Sequence, residues 1–112
     1  MFGLRKRDTH REVDPAELHA MLEAGRALLI DVREAGEFAT GHIAGAVNMP
    51  LSSFSPRNIP DPEGRTVVLQ CAGGRRSGQA LDQCARARSA IDTHLAGGIA
   101  ARRNAGFPVA AD

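Results

Sequence analysis

Apolar positions fall into two spacings along the chain, one helical and one extended. Over residues 13–25, Leu18, Met21 and Leu22 recur on one helical face behind Asp14 as N-cap, Pro15 at the first helical position and Glu17 three residues after the cap. This predicts a helix from Pro15 to Ala24, with Gly25 as its stop and Val13 placed to staple onto Leu18. Ala27 to Val32 is a continuous apolar run interrupted only by Asp31, the pattern of a strand covered on both faces, and Asp31 and Arg33 mark its polar end. Glu34 to Ala39 predicts a short helix broken by Gly41, and Ala46-Val47-Asn48 a very short strand before Pro50. Prolines 56, 60 and 62, with Gly64, write an irregular loop from Ser52 to Arg65. Thr66 to Gln70 is a second apolar strand that runs straight into Cys71. Ser77 to Arg88 reads as a helix with Ala80, Leu81 and Cys84 on one face, followed by a weaker strand from Ala90 to Leu95. Gly97-Gly98 breaks the chain before a last helix, Ile99 to Asn104, stopped by Gly106 and Pro108.

Strands alternating with helices through short connections require right-handed crossovers and a mainly parallel sheet with helices on both faces. Ligands in such sheets sit beyond the carboxyl ends of the strands, which puts Cys71 and Arg33 on one rim. A chain of 112 residues, 43% hydrophobic and 24% charged, matches a single globular domain. Its 14 basic and 13 acidic side chains leave a formal charge of +1, which argues against nucleic acid as a partner. No apolar run approaches the roughly 20 residues of a membrane helix, so no membrane partner is expected. Residues 1–12, basic at Arg5, Lys6 and Arg7, are expected to form an arm and lead-in to a domain over 13–110. No apolar stretch follows that arm as it would in a secretory signal, and the expected location is the cytoplasm. Two cysteines cannot supply a disulfide framework, which agrees with a reducing compartment.

The candidate chemistry lies in Cys71-Ala72-Gly73-Gly74-Arg75-Arg76-Ser77, which joins a buried strand to a helix N-terminus. Glycines there allow positive φ and turn N–H groups inward as an anion nest, and the helix adds the positive end of its dipole. A cysteine at the mouth of such a nest, beside two arginines, is expected to ionise below the ~8.5 of a free thiol. A core cysteine needs neither the glycines nor the arginines, so Cys71 is read as a nucleophile. Cys84, on the apolar helical face, is not.

These residues resemble the rhodanese family over nearly the whole chain. Leu28-Leu29-Ile30-Asp31-Val32-Arg33, Glu37-Phe38 and Gly41 to Pro50 resemble the family's first signature. Cys71 to Arg76 resembles the six-residue loop of single-domain rhodaneses, with cysteine first, glycine fourth and arginine sixth. Gly97-Gly98 and the short helix after it are similar to the closing motif, although Arg102 stands where a tryptophan is usual and Asp92 where an apolar residue is usual. The resemblance implies a rhodanese-like α/β fold of about five strands. It also implies a sulfurtransferase in which Cys71 takes sulfane sulfur from thiosulfate or a similar donor, holds it as a persulfide and passes it to a thiol or cyanide.

Within that frame the N–H groups of Ala72, Gly73, Gly74 and Ser77 hold the anionic sulfur, and Arg75 is a candidate to meet the donor from solvent. Arg76 matches the loop arginine that braces against a carboxylate such as Asp31 or Glu37, while Asp31 and Arg33 support the rim as an ion pair. His42 is expected to bond backbone in a turn. His10, His19 and His94 stand singly without ligand spacing, so neither metal nor cofactor is expected. Two rival functions stay open. Phosphatases and arsenate reductases with a similar loop place arginine six residues after the cysteine, whereas Arg76 is five after Cys71, a tighter bowl suited to one sulfur atom. A non-catalytic relay module would instead hand persulfide sulfur to an accepting protein.

Overall fold

The computed structural model describes residues 10–110. In chain order its elements are β1 (Arg11–Val13), α1 (Pro15–Glu23), β2 (Ala27–Asp31), α2 (Ala35–Thr40), β3 (Val47–Asn48), β4 (Thr66–Gln70), α3 (Arg75–Arg86), β5 (Thr93–Leu95) and α4 (Gly98–Asn104). The five strands form one sheet in the order β1-β5-β4-β2-β3, every pair parallel, so the expected α/β class is the observed one. Among the described residues no helix is long and apolar enough to cross a membrane.

Local chemistry sets most element ends. Asp14 Oδ1 accepts the Glu17 N–H at 2.8 Å while Glu17 Oε1 accepts the Asp14 N–H at 2.9 Å, and Pro15 leads α1 without a donor to waste. Gly25 ends that helix at φ +69°. β2 is buried at every position, as its uninterrupted apolar run demands, and its residues alternate between two cores. Leu28 and Ile30 pack with Val67, Leu69, Ala80 and Leu81 under α3, while Ala27 and Leu29 pack with Leu18, Val68 and Ile99 under α1 and α4. Helices therefore cover both faces. The proline-rich connection holds two short 3₁₀ turns, Leu51–Ser53 and Pro56–Asn58, and buries Phe54 against the α3-side core.

Most boundaries shift by one residue from the sequence reading, and those of β1, β5 and α3 shift further. Arg11 and Glu12, taken as lead-in, belong with Val13 to an edge strand paired to β5. Their exposure gives them no apolar alternation to read, and only the β5 backbone completes the strand. The Arg5-Lys6-Arg7 arm lies outside the described residues. β5 spans only Thr93–Leu95 rather than Ala90–Leu95, and α3 spans Arg75–Arg86 rather than Ser77–Arg88.

The chain leaves β2 toward β3 on one side, and from β4 it leaves toward β5 on the other. The crevice between the carboxyl ends of β2 and β4 is thus the switch point where parallel sheets bind ligands. Cys71 follows β4 there, and Asp31 ends β2.

Candidate active site

Only Cys71, Ala72, Gly73 and Gly74 separate β4 from α3, and Gly74 makes the turn possible by taking φ +108° as the helix N-cap. That early turn brings Arg75 and Arg76 into the first helical turn. It also aims donors at the cysteine: Sγ of Cys71 accepts N–H groups from Gly74 at 3.1 Å and Ser77 at 3.3 Å, and Ser77 Oγ lies 3.5 Å away. Burial pushes the Cys71 thiol up. Hydrogen bonds from the Ser77 hydroxyl and the Ser77, Gly74 and Gly73 amides outweigh it, so the thiol sits below its ordinary value.

The outer side of the loop is held by α4. Ile99 N–H donates to the Cys71 carbonyl at 2.9 Å and Ala100 N–H to that of Ala72 at 3.1 Å. Gly98 makes this approach possible: at φ +62°, a Cβ placed there would lie 2.4 Å from the Cys71 carbonyl oxygen and 2.5 Å from that of Ala72. The closing glycine pair is thus a fitting for the cysteine loop.

The charged residues divide into two ion pairs and one solvent-facing cation. Arg76 Nη1 and Nη2 donate to Glu37 Oε1 and Oε2 at 2.7 and 3.0 Å, a bidentate brace from α3 to α2. The Arg76 hydrogen bonds hold the Glu37 carboxyl down at about 2. Asp31 and Arg33 are 0% and 4% exposed. Arg33 Nη2 donates to Asp31 Oδ2 at 2.8 Å and to the Gly41 carbonyl at 2.7 Å, tying the end of β2 to the α2 turn. Asn48 Nδ2 adds bonds to the Asp31 and Arg33 carbonyls at 3.0 and 2.9 Å. Arg75 is exposed beside the loop.

Ser77 also reaches a residue that sequence reasoning left isolated. Its Oγ is 2.7 Å from His94 Nδ1, and His94 Nε2 is 3.4 Å from Glu12 Oε2. Burial is the main cause of the downward shift of the His94 imidazole. The spacing from Cys71 to His94 carries no motif; the contact follows only from β5 lying between β1 and β4. His42 stacks on Phe38 with ring centroids 3.8 Å apart, and its Nδ1 meets the Phe38 carbonyl at 3.0 Å. Arg102 is buried rather than displaced: Nε donates to the Pro108 carbonyl at 2.8 Å and the guanidinium lies 5.6 Å from the Phe107 ring centre.

A parallel α/β sheet that presents a hydrogen-bonded cysteine at a strand-to-helix turn, braced by an arginine, defines a class of cysteine-loop proteins. Residues 14–105 match the rhodanese-like domain, and the chain belongs to the rhodanese family. It is 33% identical over 101 residues to a sulfurtransferase of Allochromatium vinosum, covering 89% of this chain and 94% of that one. An uncharacterised protein of Synechocystis sp. is 39% identical over 100 residues, 89% of this chain, and the chain spans only 56% of that relative's length. Among solved structures, a rhodanese-related protein of Thermoplasma volcanium superposes with a TM-score of 0.78 at 26% identity, covering 92% of this chain and all of that one. The family supports a sulfurtransferase-type activity in general.

Proposed function

We propose that the chain moves sulfane sulfur from thiosulfate or a similar anionic donor to a thiol or cyanide, through a persulfide on Cys71. The Cys71 thiolate attacks the outer sulfur, the S–S bond of the donor breaks, and sulfite leaves with the bonding pair. An acceptor thiolate or cyanide then attacks the outer persulfide sulfur and regenerates the Cys71 thiolate. This is covalent double displacement.

One observation carries the proposal: backbone N–H groups of a four-residue turn point at a single sulfur atom, Gly74 at 3.1 Å and Ser77 at 3.3 Å. The free amides of the first turn of α3 lie next to that sulfur, suited to a persulfide anion that extends one atom outward. Arg75 offers a cation to an anionic donor in solvent. A phosphatase would need a loop arginine enclosing a tetrahedral oxyanion, and Arg76 is instead committed to Glu37. The acting unit on this reading is the domain expected over 13–110 together with the β1 residues Arg11 and Glu12, and two unpaired cysteines suit the cytoplasm. The exposed rim at Arg75 leaves room for a sulfur-accepting protein as well as for a small thiol.

Purified protein incubated with thiosulfate should gain the mass of one sulfur on the Cys71 peptide and convert cyanide to thiocyanate. Cys71→Ser should lower turnover by ~10³-fold or more, while Cys84→Ser keeps most of it. Substantial turnover by the Cys71 variant, or aryl phosphate hydrolysis matching sulfur transfer in the unaltered chain, would overturn the assignment.

A further inference from the structure

We propose that His94 is the proton acceptor of the Cys71 thiol, acting through the Ser77 hydroxyl and oriented by Glu12. His94 is therefore a positioning and proton-holding residue; it does not touch the transferred sulfur. The proposal rests on the sulfur-transfer reading only in taking Cys71 as the nucleophile.

Four side chains form one line across three elements. Cys71 Sγ lies 3.5 Å from Ser77 Oγ, Ser77 Oγ lies 2.7 Å from His94 Nδ1, and His94 Nε2 lies 3.4 Å from Glu12 Oε2. Register builds it. Glu12 pairs with His94 between β1 and β5, and Leu69 pairs with His94 between β5 and β4, two residues before the cysteine. Parallel partners share a face, so His94 projects onto α3, where Ser77 sits fully buried.

Hydrogen-bond bookkeeping gives the line a direction. Glu12 fixes a proton on Nε2, which leaves the Nδ1 lone pair facing Ser77. The Ser77 hydroxyl donates to Nδ1, and its oxygen then accepts the Cys71 S–H. In the shift, the S–H bond breaks and its proton moves to Ser77 Oγ, while the hydroxyl proton moves to Nδ1. Ser77 ends as a hydroxyl donating to the new thiolate, His94 ends as an imidazolium facing the Glu12 carboxylate, and one proton has moved with no change in electron count. The Gly74 carbonyl, 3.2 Å from Ser77 Oγ, is the competing acceptor for the hydroxyl proton.

The groups around His94 set its basicity. Glu12 on β1 favours the cation. The ring of His10, edge-on with centroids 5.9 Å apart, opposes it when charged, and His10 is itself held by Asp82 of α3 at 2.9 Å. Burial favours the neutral imidazole over the cation, the form an acceptor requires. The same burial withholds bulk water from the thiol proton, so a local acceptor has work that solvent cannot do.

His94→Asn tests this, because an asparagine amide can occupy the Nδ1 position and hold Ser77 but cannot carry the proton. Iodoacetamide labelling of the Cys71 peptide is followed by mass spectrometry from pH 5.5 to 10. The expected result is a profile displaced to higher pH, with labelling at pH 6.5 slowed roughly tenfold and rates converging near pH 10, since one unit in thiol acidity is tenfold in thiolate. Glu12→Gln, on the exposed edge strand, should shift the profile the same way by roughly threefold, and it decides alone if the histidine variant does not fold. Superposition of the variant profile on that of the unaltered chain, or a uniform slowing at every pH, overturns the proposal. Labelling needs no sulfur donor, so failure to take sulfur from thiosulfate sinks the sulfur-transfer reading without touching this result.

Discussion

Cys71 and Cys84 are equally deep, 1% and 0% exposed, and pack in the same core cluster, and burial pushes both thiols up, yet their net shifts run in opposite directions. Cys84 lies in the body of α3, where the amides around it are used by the helix itself, and burial alone pushes its thiol up to about 11. Cys71 lies at the mouth of the same helix, where first-turn amides have no upstream carbonyl and turn to the sulfur instead. Depth therefore does not decide which way a thiol's acidity shifts; the supply of unspent donors does. One helix provides both environments, inert within and activating at its N-terminus.

The largest effect should come from removing the fitting that keeps those donors on Cys71. Gly98→Ala sets a methyl against the Cys71 and Ala72 carbonyls at a φ of +62°, so α4 must lift off the loop. A loss of ~3 kcal/mol in urea unfolding is expected, with Cys71 labelling near that of an ordinary thiol. Gly45→Ala is the control: φ is +87° but nothing lies within 4 Å of the added Cβ, and it should cost only about 1 kcal/mol and leave labelling unchanged. Equal losses in the two variants would mean that α4 does not hold the loop.

A smaller effect tests the contrast itself in the native chain. At neutral pH Cys71 should be labelled at least ~10-fold faster than Cys84: with Cys84 at about 11 and Cys71 below its ordinary value, the thiolate fractions differ by at least roughly a hundredfold, reduced by the weaker intrinsic nucleophilicity of the more acidic thiol. Comparable labelling of both cysteines in folded protein would break the comparison.

The smallest effect separates backbone donors from side-chain charge. Glu37 is held at about 2 in the fold against an ordinary 4.5, so its pair with Arg76 stabilises fully above about pH 4.5 and is lost as pH falls toward 2. The two side chains are 31% and 41% exposed, and solvent screening limits the effect to about 1 kcal/mol. Glu37→Gln should therefore flatten the fall in urea unfolding free energy between pH 7 and pH 3 by somewhat more than half of that amount. Its Cys71 labelling profile should stay close to that of the unaltered chain, since amides and the Ser77 hydroxyl dominate the thiol's acidity. A large shift in that profile would return the weight to the arginine.

Local chemistry is legible in the sequence because its partners are neighbours in the chain. The Asp14-Glu17 capping box, the apolar runs of β2 and β4, and the glycine turn after Cys71 each specify their conformation within a few residues, and they place Cys71 at the strand-to-helix turn. The choice of Glu37 over Asp31 as the partner of Arg76 was not readable, since both carboxylates fit the pattern and only the packing of α2 against α3 selects one. β1 was hidden for a related reason: three exposed or half-exposed residues carry no periodicity, and their extended form comes from hydrogen bonds to β5. His94 looked solitary in a chain where its contacts, Ser77 and Glu12, lie on two other elements. The amino-acid order alone thus determined most of the elements and the cysteine-bearing turn after β4, because capping, turning and burial act over one or two turns of chain. Which side chains meet that cysteine was decided by the parallel order of the strands, because crossover connections bring distant residues together without leaving any mark in their spacing.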